Sequence, residues 1–331
     1  MKIDLVTPAG PGSRQHGNRA TTVRWARFLR QLGHEVLLEE TWGGGGCGMM
    51  IALHARRSHS SIKRYAKAYP GRPLVVTLTG TDLYRDIRSD EAARESLELA
   101  TALISLQEKG PEELEPRHRA KTRVIYQSAD PVRPQPPVKS RFDVCVIGHL
   151  RDEKDPFRTA LASRLLPPTS RIRVTHTGRP YNEEFAEEAR LHASENPRYR
   201  WIGEVPRWKA RRILARSRLL AQTSVMEGGA NVVSEALASG VPVVASDIPG
   251  NVGMLGEDYP GYHPVGDERA LARLLYRAET DEAFYELLKA RCNARKYLVL
   301  PEREKEALRR LVQDLVEDGS RKGKRLYLAH G

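Results

Sequence analysis

The chain has 331 residues, 40% of them hydrophobic, which supports two cores of ordinary size and excludes a disordered chain. Its net charge of +12 suggests anionic partners, or simply a composition rich in arginine, because the arginines are spread along the whole length. No apolar run reaches the ~18 residues of a membrane helix, the start "MKIDLVTP" meets Asp4 and Pro8 too early for a secretory leader, and aromatics at 6% without finger-type or RNP spacing argue against a dedicated nucleic-acid binder.

Short β-branched runs alternate with helical stretches. "KIDLVTP" predicts a first strand. "GNRATTVRWARFLRQLG" predicts an amphipathic helix with Val23, Trp25, Ala26, Phe28, Leu29 and Leu32 on its core face and Gly33 as its stop. "GGGG" at 43–46 reads as a permissive turn ahead of a strand. "HEVLLEE", "GMMIALH", "PLVVTLTG", "TALISL" and "TRVIYQS" predict further strands. This βαβ order implies a mainly parallel sheet covered on both faces. "ADPVRPQPPVKS" then reads as a stiff linker, since Pro131, Pro134, Pro136 and Pro137 continue neither kind of regular ladder. After it the order restarts with "DVCVIGHL", "SRIRVTHTG", "YRWIGEV", "RLLAQTS" and "VPVVASD".

The expected organisation is an acceptor-side Rossmann-like domain at 1–130, a proline-rich linker at 131–140 and a nucleotide-sugar-binding Rossmann-like domain at 141–300. A helix at 301–318 follows, with the stripe Leu308, Leu311, Val312 and Leu315, stopped by Gly319 and expected to pack back toward the N-terminal domain. Residues 319–331 form a basic tail. Ligands of open parallel sheets sit beyond the carboxyl ends of the strands. Two such sheets facing each other would make a cleft that a hinge can close over a substrate. The three cysteines, Cys47, Cys145 and Cys292, are scattered and read as reduced thiols rather than a disulfide framework or a zinc site. The expectation is a soluble cytoplasmic protein with small-molecule substrates, and with neither nucleic acid nor membrane as partner.

One stretch concentrates the chemistry: "SVMEGGANVVSEALASG" at 224–240. Gly228, Gly229, Ala230 and Asn231 form the passage from a strand into a helix. Glycines there let the backbone approach a ligand, and the amides at the helix start attract phosphate. Glu235, one turn into the helix, can accept hydrogen bonds from two adjacent ribose hydroxyls. Glu227 stands at the strand end, where a sugar would lie. In isolation, both acids read equally well as residues that favour a helix N-terminus.

The pair is not isolated. From "YRWIGEV" to "PVVASDIPGN", the order Gly203, Ser224, Glu227, Gly228, Glu235, Ala236, Gly240 and "PVVAS" resembles the core signature of the GT-B glycosyltransferases often called family 4. Two departures are Thr223 in place of the common proline, and Gly229-Ala230-Asn231 in place of the common Phe-Gly. "VIGHLRDEKDP" is similar to the same family's diphosphate grip: Lys154 matches, His149 stands where an arginine is usual, and Arg151 is placed to compensate. The resemblance implies the α/β GT-B fold, two Rossmann-like parallel-sheet domains facing across a cleft. It also implies ribose on Glu235, and Glu227 with the amides after it toward the sugar and diphosphate.

In the N-terminal half, "TPAGPGSRQHGNRAT" is not a P-loop, since Asn18-Arg19 stands where Lys-Ser/Thr belongs. Its glycines with Arg14, Gly17, Asn18 and Arg19 still build a basic loop at a helix start, suited to an anion. "ALHARRS" adds His54, Arg56 and Arg57, and "LTGTDLYRD" adds Thr79, Gly80, Thr81 and Asp82. Ordinary turns and surface arginines would look much the same. Taken together with "RVIYQS", "GHLRDEKDPFR" and "EGGANVVSEALASG", these segments resemble the selenosugar synthases of selenoneine biosynthesis over residues 2 to about 300.

That resemblance implies a selenium glycosyltransferase. It would take UDP-N-acetylglucosamine or UDP-glucose and selenophosphate, and release a 1-seleno sugar, UDP and phosphate. His54 and Glu227 are then the candidate catalytic side chains. Selenium is already a soft anionic nucleophile, so no essential base on the acceptor is expected; His54 would position it or protonate a phosphate oxygen. No Asp-x-Asp, HExxH or Cys-x-x-Cys occurs, so no metal or cofactor is expected. Two other readings stay open: a glycosyltransferase for a hydroxyl or phosphate acceptor, and a non-catalytic basic protein that binds anions or nucleic acid on a degenerate transferase fold.

Overall fold

The third strand shows how the sequence builds its sheet. "MMIAL" is apolar throughout, and all five residues are buried because both faces of the strand are covered. Met49, Ile51 and Leu53 enter one core with Ile3, Leu5, Trp25 and Leu29. Met50 and Ala52 enter the other with Ile62, Tyr65 and Val76, as the two-residue period of a strand requires.

The computed structural model describes residues 1–8, 17–133, 135–136 and 138–328, with side chains as far as residue 317. The chain divides into two units, one made of Met1–Gln127 and Pro301–Gly331, the other of Ser128–Leu300. In the first, β1 (Lys2–Val6), β2 (Glu35–Glu39), β3 (Met49–Leu53), β4 (Leu74–Leu78), β5 (Ala102–Ser105) and β6 (Thr122–Val124) form a sheet in the order β2-β1-β3-β4-β5-β6. In the second, β7 (Phe142–Ile147), β8 (Ile172–Thr177), β9 (Tyr199–Trp201), β10 (Leu219–Gln222), β11 (Val243–Ser246) and β12 (Tyr262–His263) form a sheet in the order β12-β11-β10-β7-β8-β9. Every pairing is parallel. The fold class is therefore the expected one: α/β, with two parallel six-stranded sheets.

The first helix, Gly17–Gln31, ends at Gly33 with a φ of +85°, the left-handed stop its glycine permits. Val23 is a correction. It is 49% exposed, because the helix turns it onto the stripe of Arg27 and Arg30 instead of the face of Trp25, Ala26 and Leu29. The last helix, Pro301–Leu328, does not stop at Gly319. A helix-interior glycine costs only ~1 kcal/mol relative to alanine, and the lysines, arginines and leucines after it are good helix formers. The basic tail is thus helical to Leu328, and 329–331 lie outside the described residues.

Within the first unit this last helix packs on the first. Leu308, Leu311, Val312 and Leu315 complete the core of Trp25 and Leu29. Glu304, 1% exposed, accepts from Arg24 Nε at 2.7 Å and Nη2 at 3.1 Å and from Trp25 Nε1 at 2.6 Å.

The passage between units, Gln127 to Ser128, comes before the proline-rich stretch. That stretch is bonded to the second unit: the Val132 amide donates to Ser239 Oγ at 3.2 Å and the Gln135 amide to Ala215 O at 3.2 Å. Pro134 and Pro137 lie outside the described residues. All three cysteines are buried free thiols, and burial pushes Cys47 and Cys145 up to about 12 and Cys292 up to about 11. Among the described residues no helix is long and apolar enough to cross a membrane.

Candidate active site

The strand-to-helix passage after β10 is held from several sides. Glu227 is 8% exposed. Its Oε1 accepts from Ser224 Oγ at 2.7 Å and Gln222 Nε2 at 2.9 Å, and pairs with the Lys154 ammonium. A buried carboxylate needs such partners to stay ionised without a large desolvation cost. Ser246 Oγ at the end of β11 donates to the Ser224 carbonyl, and Asn251 Nδ2 donates to Ser246 Oγ at 3.1 Å.

Gly228, Gly229 and Ala230 lead into the helix Asn231–Ser239, whose N-cap residue, Ala230, has no polar side chain to cap it. Glu235 is 7% exposed. Its Oε1 accepts from Arg207 Nε at 3.1 Å and Nη2 at 2.8 Å, with Arg211 Nε 3.9 Å away. Both arginines belong to the helix Arg207–Arg216. Among the described residues Oε2 of Glu235 has no hydrogen-bond partner.

The loop after β7 carries the remaining donor-side candidates. A single 3-10 turn, Asp152–Lys154, ends on Asp155, whose φ of +42° is left-handed, a conformation aspartate tolerates better than most residues. Thr223, the residue that departs from the family's proline, stitches this turn down. Its Oγ1 donates to the carbonyls of Lys154 at 3.2 Å and Asp155 at 3.0 Å, while the Val225 amide donates to Glu153 O at 3.0 Å. These bonds bring Lys154 onto Glu227.

His149 and Arg151 are not brought to either glutamate. His149 Nδ1 accepts from the Arg179 amide at 3.2 Å, and Arg151 Nε lies 3.7 Å from Glu153. Beneath them sits His176, 1% exposed, with Nε2 against Gly148 O at 3.3 Å and Nδ1 against the Tyr199 hydroxyl at 2.8 Å. Burial lowers its pKa to about 4, so it is a neutral support. Gly178 is required beside it, because a Cβ there would overlap the Gly148 carbonyl. Gly148, His149, Lys154, His176, Thr223 and Ser224 line one hollow.

In the first unit some of the acceptor-side candidates, Arg57, Thr81 and Asp82, gather around His54. It follows β3, is 2% exposed and has a φ of +74°, an outlier for a histidine. The Arg57 amide donates to its Nδ1 at 3.4 Å, and its Nε2 lies 3.0 Å from Thr81 Oγ1. Burial is the leading cause that holds its pKa below the ordinary value, against the pull of Asp82.

Asp82 is fully enclosed. It accepts from the amides of Ala55 at 2.9 Å, Thr79 at 2.8 Å and Gly80 at 2.9 Å, so its carboxylate holds the loops together and presents little to a ligand. It opens a π-helical turn, Asp82–Asp86, a form frequent at functional sites. That turn puts Asp86, which the sequence did not single out, 3.9 Å from His54 Nε2. Arg56 is tied to Asp90 at 2.7 Å, and Arg57 is exposed. Gly17, Asn18 and Arg19 open the first helix, where Thr21 and Thr22 donate to the carbonyls of Gly17 at 3.0 Å and Asn18 at 3.1 Å. Arg14 lies outside the described residues. Among the described residues no three His, Cys, Asp or Glu side chains gather as a metal would need.

The family model described as glycosyl transferases group 1 matches residues 130–298, more than half of the chain. The chain belongs to the group 1 glycosyltransferases. Its structure is similar to that of HepE from Anabaena in complex with UDP, at 16% identity over 95% of this chain and 99% of that one, with a TM-score of 0.76. The transferase is also similar to sucrose-phosphate synthase from Thermosynechococcus elongatus, at 15% identity over 96% and 99% of the two chains, TM-score 0.79. A glycosyltransferase from Rickettsia africae ESF-5 gives 12% identity over 95% and 98%, TM-score 0.73. At these identities the likeness establishes the GT-B fold of the transferase. A comparison with curated protein sequences gives no match.

Proposed function

We propose that this glycosyltransferase takes a UDP-sugar, UDP-N-acetylglucosamine or UDP-glucose, and passes the sugar to the selenium of selenophosphate. The observation that carries the donor half is the pair of buried glutamates beside one glycine-rich turn, Glu227 on Lys154 and Glu235 with an oxygen left over. Glu235 Oε2 suits ribose hydroxyls. The Lys154 ammonium and the backbone amides of the helix start suit a diphosphate. A uridine nucleotide is favoured by the HepE structures, which hold UDP and UDP-glucose.

The acceptor half rests on the resemblance of "ALHARRS" and "VTLTGTDLYRDI" to selenosugar synthases, and on the basic, exposed Arg57 beside His54. In the first step selenium would bond to the anomeric carbon as the bond from that carbon to the β-phosphate oxygen breaks, and the electron pair leaves on UDP. Water would then attack phosphorus, breaking the Se–P bond and giving phosphate and the 1-seleno sugar.

A second reading is favoured by His54, a buried neutral imidazole flanked by Asp82 and Asp86. A hydroxyl acceptor needs such a base, whereas selenium does not. Anaerobic incubation with selenophosphate and each UDP-sugar, followed by mass spectrometry, separates the two. A selenium-bearing sugar with UDP release that depends on selenophosphate supports the first; UDP release that needs only a hydroxyl acceptor supports the second.

A further inference from the structure

The helix Arg207–Arg216 starts against the field of its own dipole. Its first residue is Arg207, and no acid stands in its first turn. A cation at that end is disfavoured, so the arginine is there for something outside the helix. That partner is Glu235. Arg207 gives Oε1 two hydrogen bonds, and Arg211, one turn on, faces the same oxygen. The Arg207 side chain is 53% exposed and that of Glu235 only 10%. The arginine side chain is therefore half in solvent while the carboxylate is enclosed. Among the described residues Nη1 of Arg207, like Oε2 of Glu235, has no hydrogen-bond partner.

A buried carboxylate is a poor neighbour for a diphosphate, since like charges in a partly desolvated site repel strongly. Here Glu227 carries Lys154, and Glu235 carries two guanidiniums. The two acids thus stand among three cations, and the region as a whole attracts anions. We propose that Arg207 is the counter-charge that lets the phosphates of a nucleoside diphosphate lie beside the buried Glu235. It neutralises Oε1, leaves Oε2 for the hydroxyls, and offers Nη1 to the phosphates. The inference rests on the donor reading above. It adds a binding residue from a helix outside the glycine-rich turn and the Lys154 loop.

Calorimetry with uridine, UMP and UDP tests it. For Arg207→Ala the loss of affinity should grow with phosphate number, from little for uridine to about tenfold for UDP. Arg207→Lys, which keeps the charge, should recover most of the phosphate-dependent part. Arg212→Ala removes the same charge from the same helix at an exposed position over Trp208 and away from Glu235, and should leave the series within about twofold. Equal losses for all three ligands, tighter UDP binding by Arg207→Ala, or an equal effect of Arg212→Ala would overturn the inference alone. A native protein that binds no UDP would overturn the donor reading and the inference together.

Discussion

Gly250 lies directly behind Glu227. A Cβ at position 250 would overlap the carbonyl oxygen and carbon of Glu227 and crowd its own Cβ. The helix Pro249–Leu255 therefore starts against the back of the turn that aims the first glutamate. Gly250→Ala must push that turn, and Glu227 with it, off its place on Lys154. Sugar transfer should drop at least about tenfold in kcat/KM, because misplacement of about an ångström is costly at a reacting centre. The stability cost should stay near the ~1–3 kcal/mol of an overpacked site. Unchanged kinetics in a folded variant would remove Glu227 from the machinery.

Glu235→Ala should weaken UDP binding by about tenfold, the equivalent of one lost hydrogen bond to a charged group. Calorimetry reads this directly. An unaltered Kd would end the assignment of the ribose to this side chain.

Replacing both Arg56 and Arg57 by alanine should raise the KM for selenophosphate by about tenfold and leave UDP affinity alone. Arg56 is held by Asp90 on an exposed surface, so the larger share is expected from Arg57. If donor and acceptor suffer equally in steady-state kinetics, these arginines serve some other purpose.

His176 makes a prediction for acid. Folded, its imidazole titrates at about 4 because burial disfavours the charged form. Unfolded, it titrates near ~6.5. Between those values the unfolded chain binds the extra proton, so stability falls with falling pH there. The contribution is whole above about pH 6.5 and is lost by about pH 4, for roughly 3 kcal/mol. His54, His192 and His263 are lowered by burial too and steepen the same limb. Denaturant unfolding across this range should show His176→Gln with a flatter acid limb than the native protein; an identical slope would assign the proton elsewhere.

Eleven of the twelve strands among the described residues were legible as short apolar runs bounded by breakers, whereas the two-residue β12 is too short to leave a pattern; Gly33 was legible because only a left-handed residue ends that helix cleanly. The glycine-rich passage was legible because its spacing is local. What holds it was not. The partners of Glu227 and Glu235 come from Lys154 and Arg207, 73 and 28 residues away; Lys154 was legible as a diphosphate ligand but not as the partner of Glu227, and Arg207 read as a solvated charge. One signal did exist. Arginine at the start of a helix with no acid in its first turn is a local misfit, and such misfits point to a tertiary partner. Asp82 was misleading for the opposite reason. Its carboxylate looked available, yet three backbone amides already claim it. Gly250 gave no signal, because what it meets is visible only in space.

The bonds of Glu304 with Arg24 and Trp25 also bear on how the chain matures. The second unit is one uninterrupted stretch, Ser128–Leu300, and can close while synthesis continues. The first cannot. Until Leu315 has emerged, Trp25 lacks part of its apolar cover and Arg24 has no carboxylate. The segment translated first is thus completed last, and a chain cut after residue 300 would carry every residue of its C-terminal unit beside an open, sticky N-terminal one.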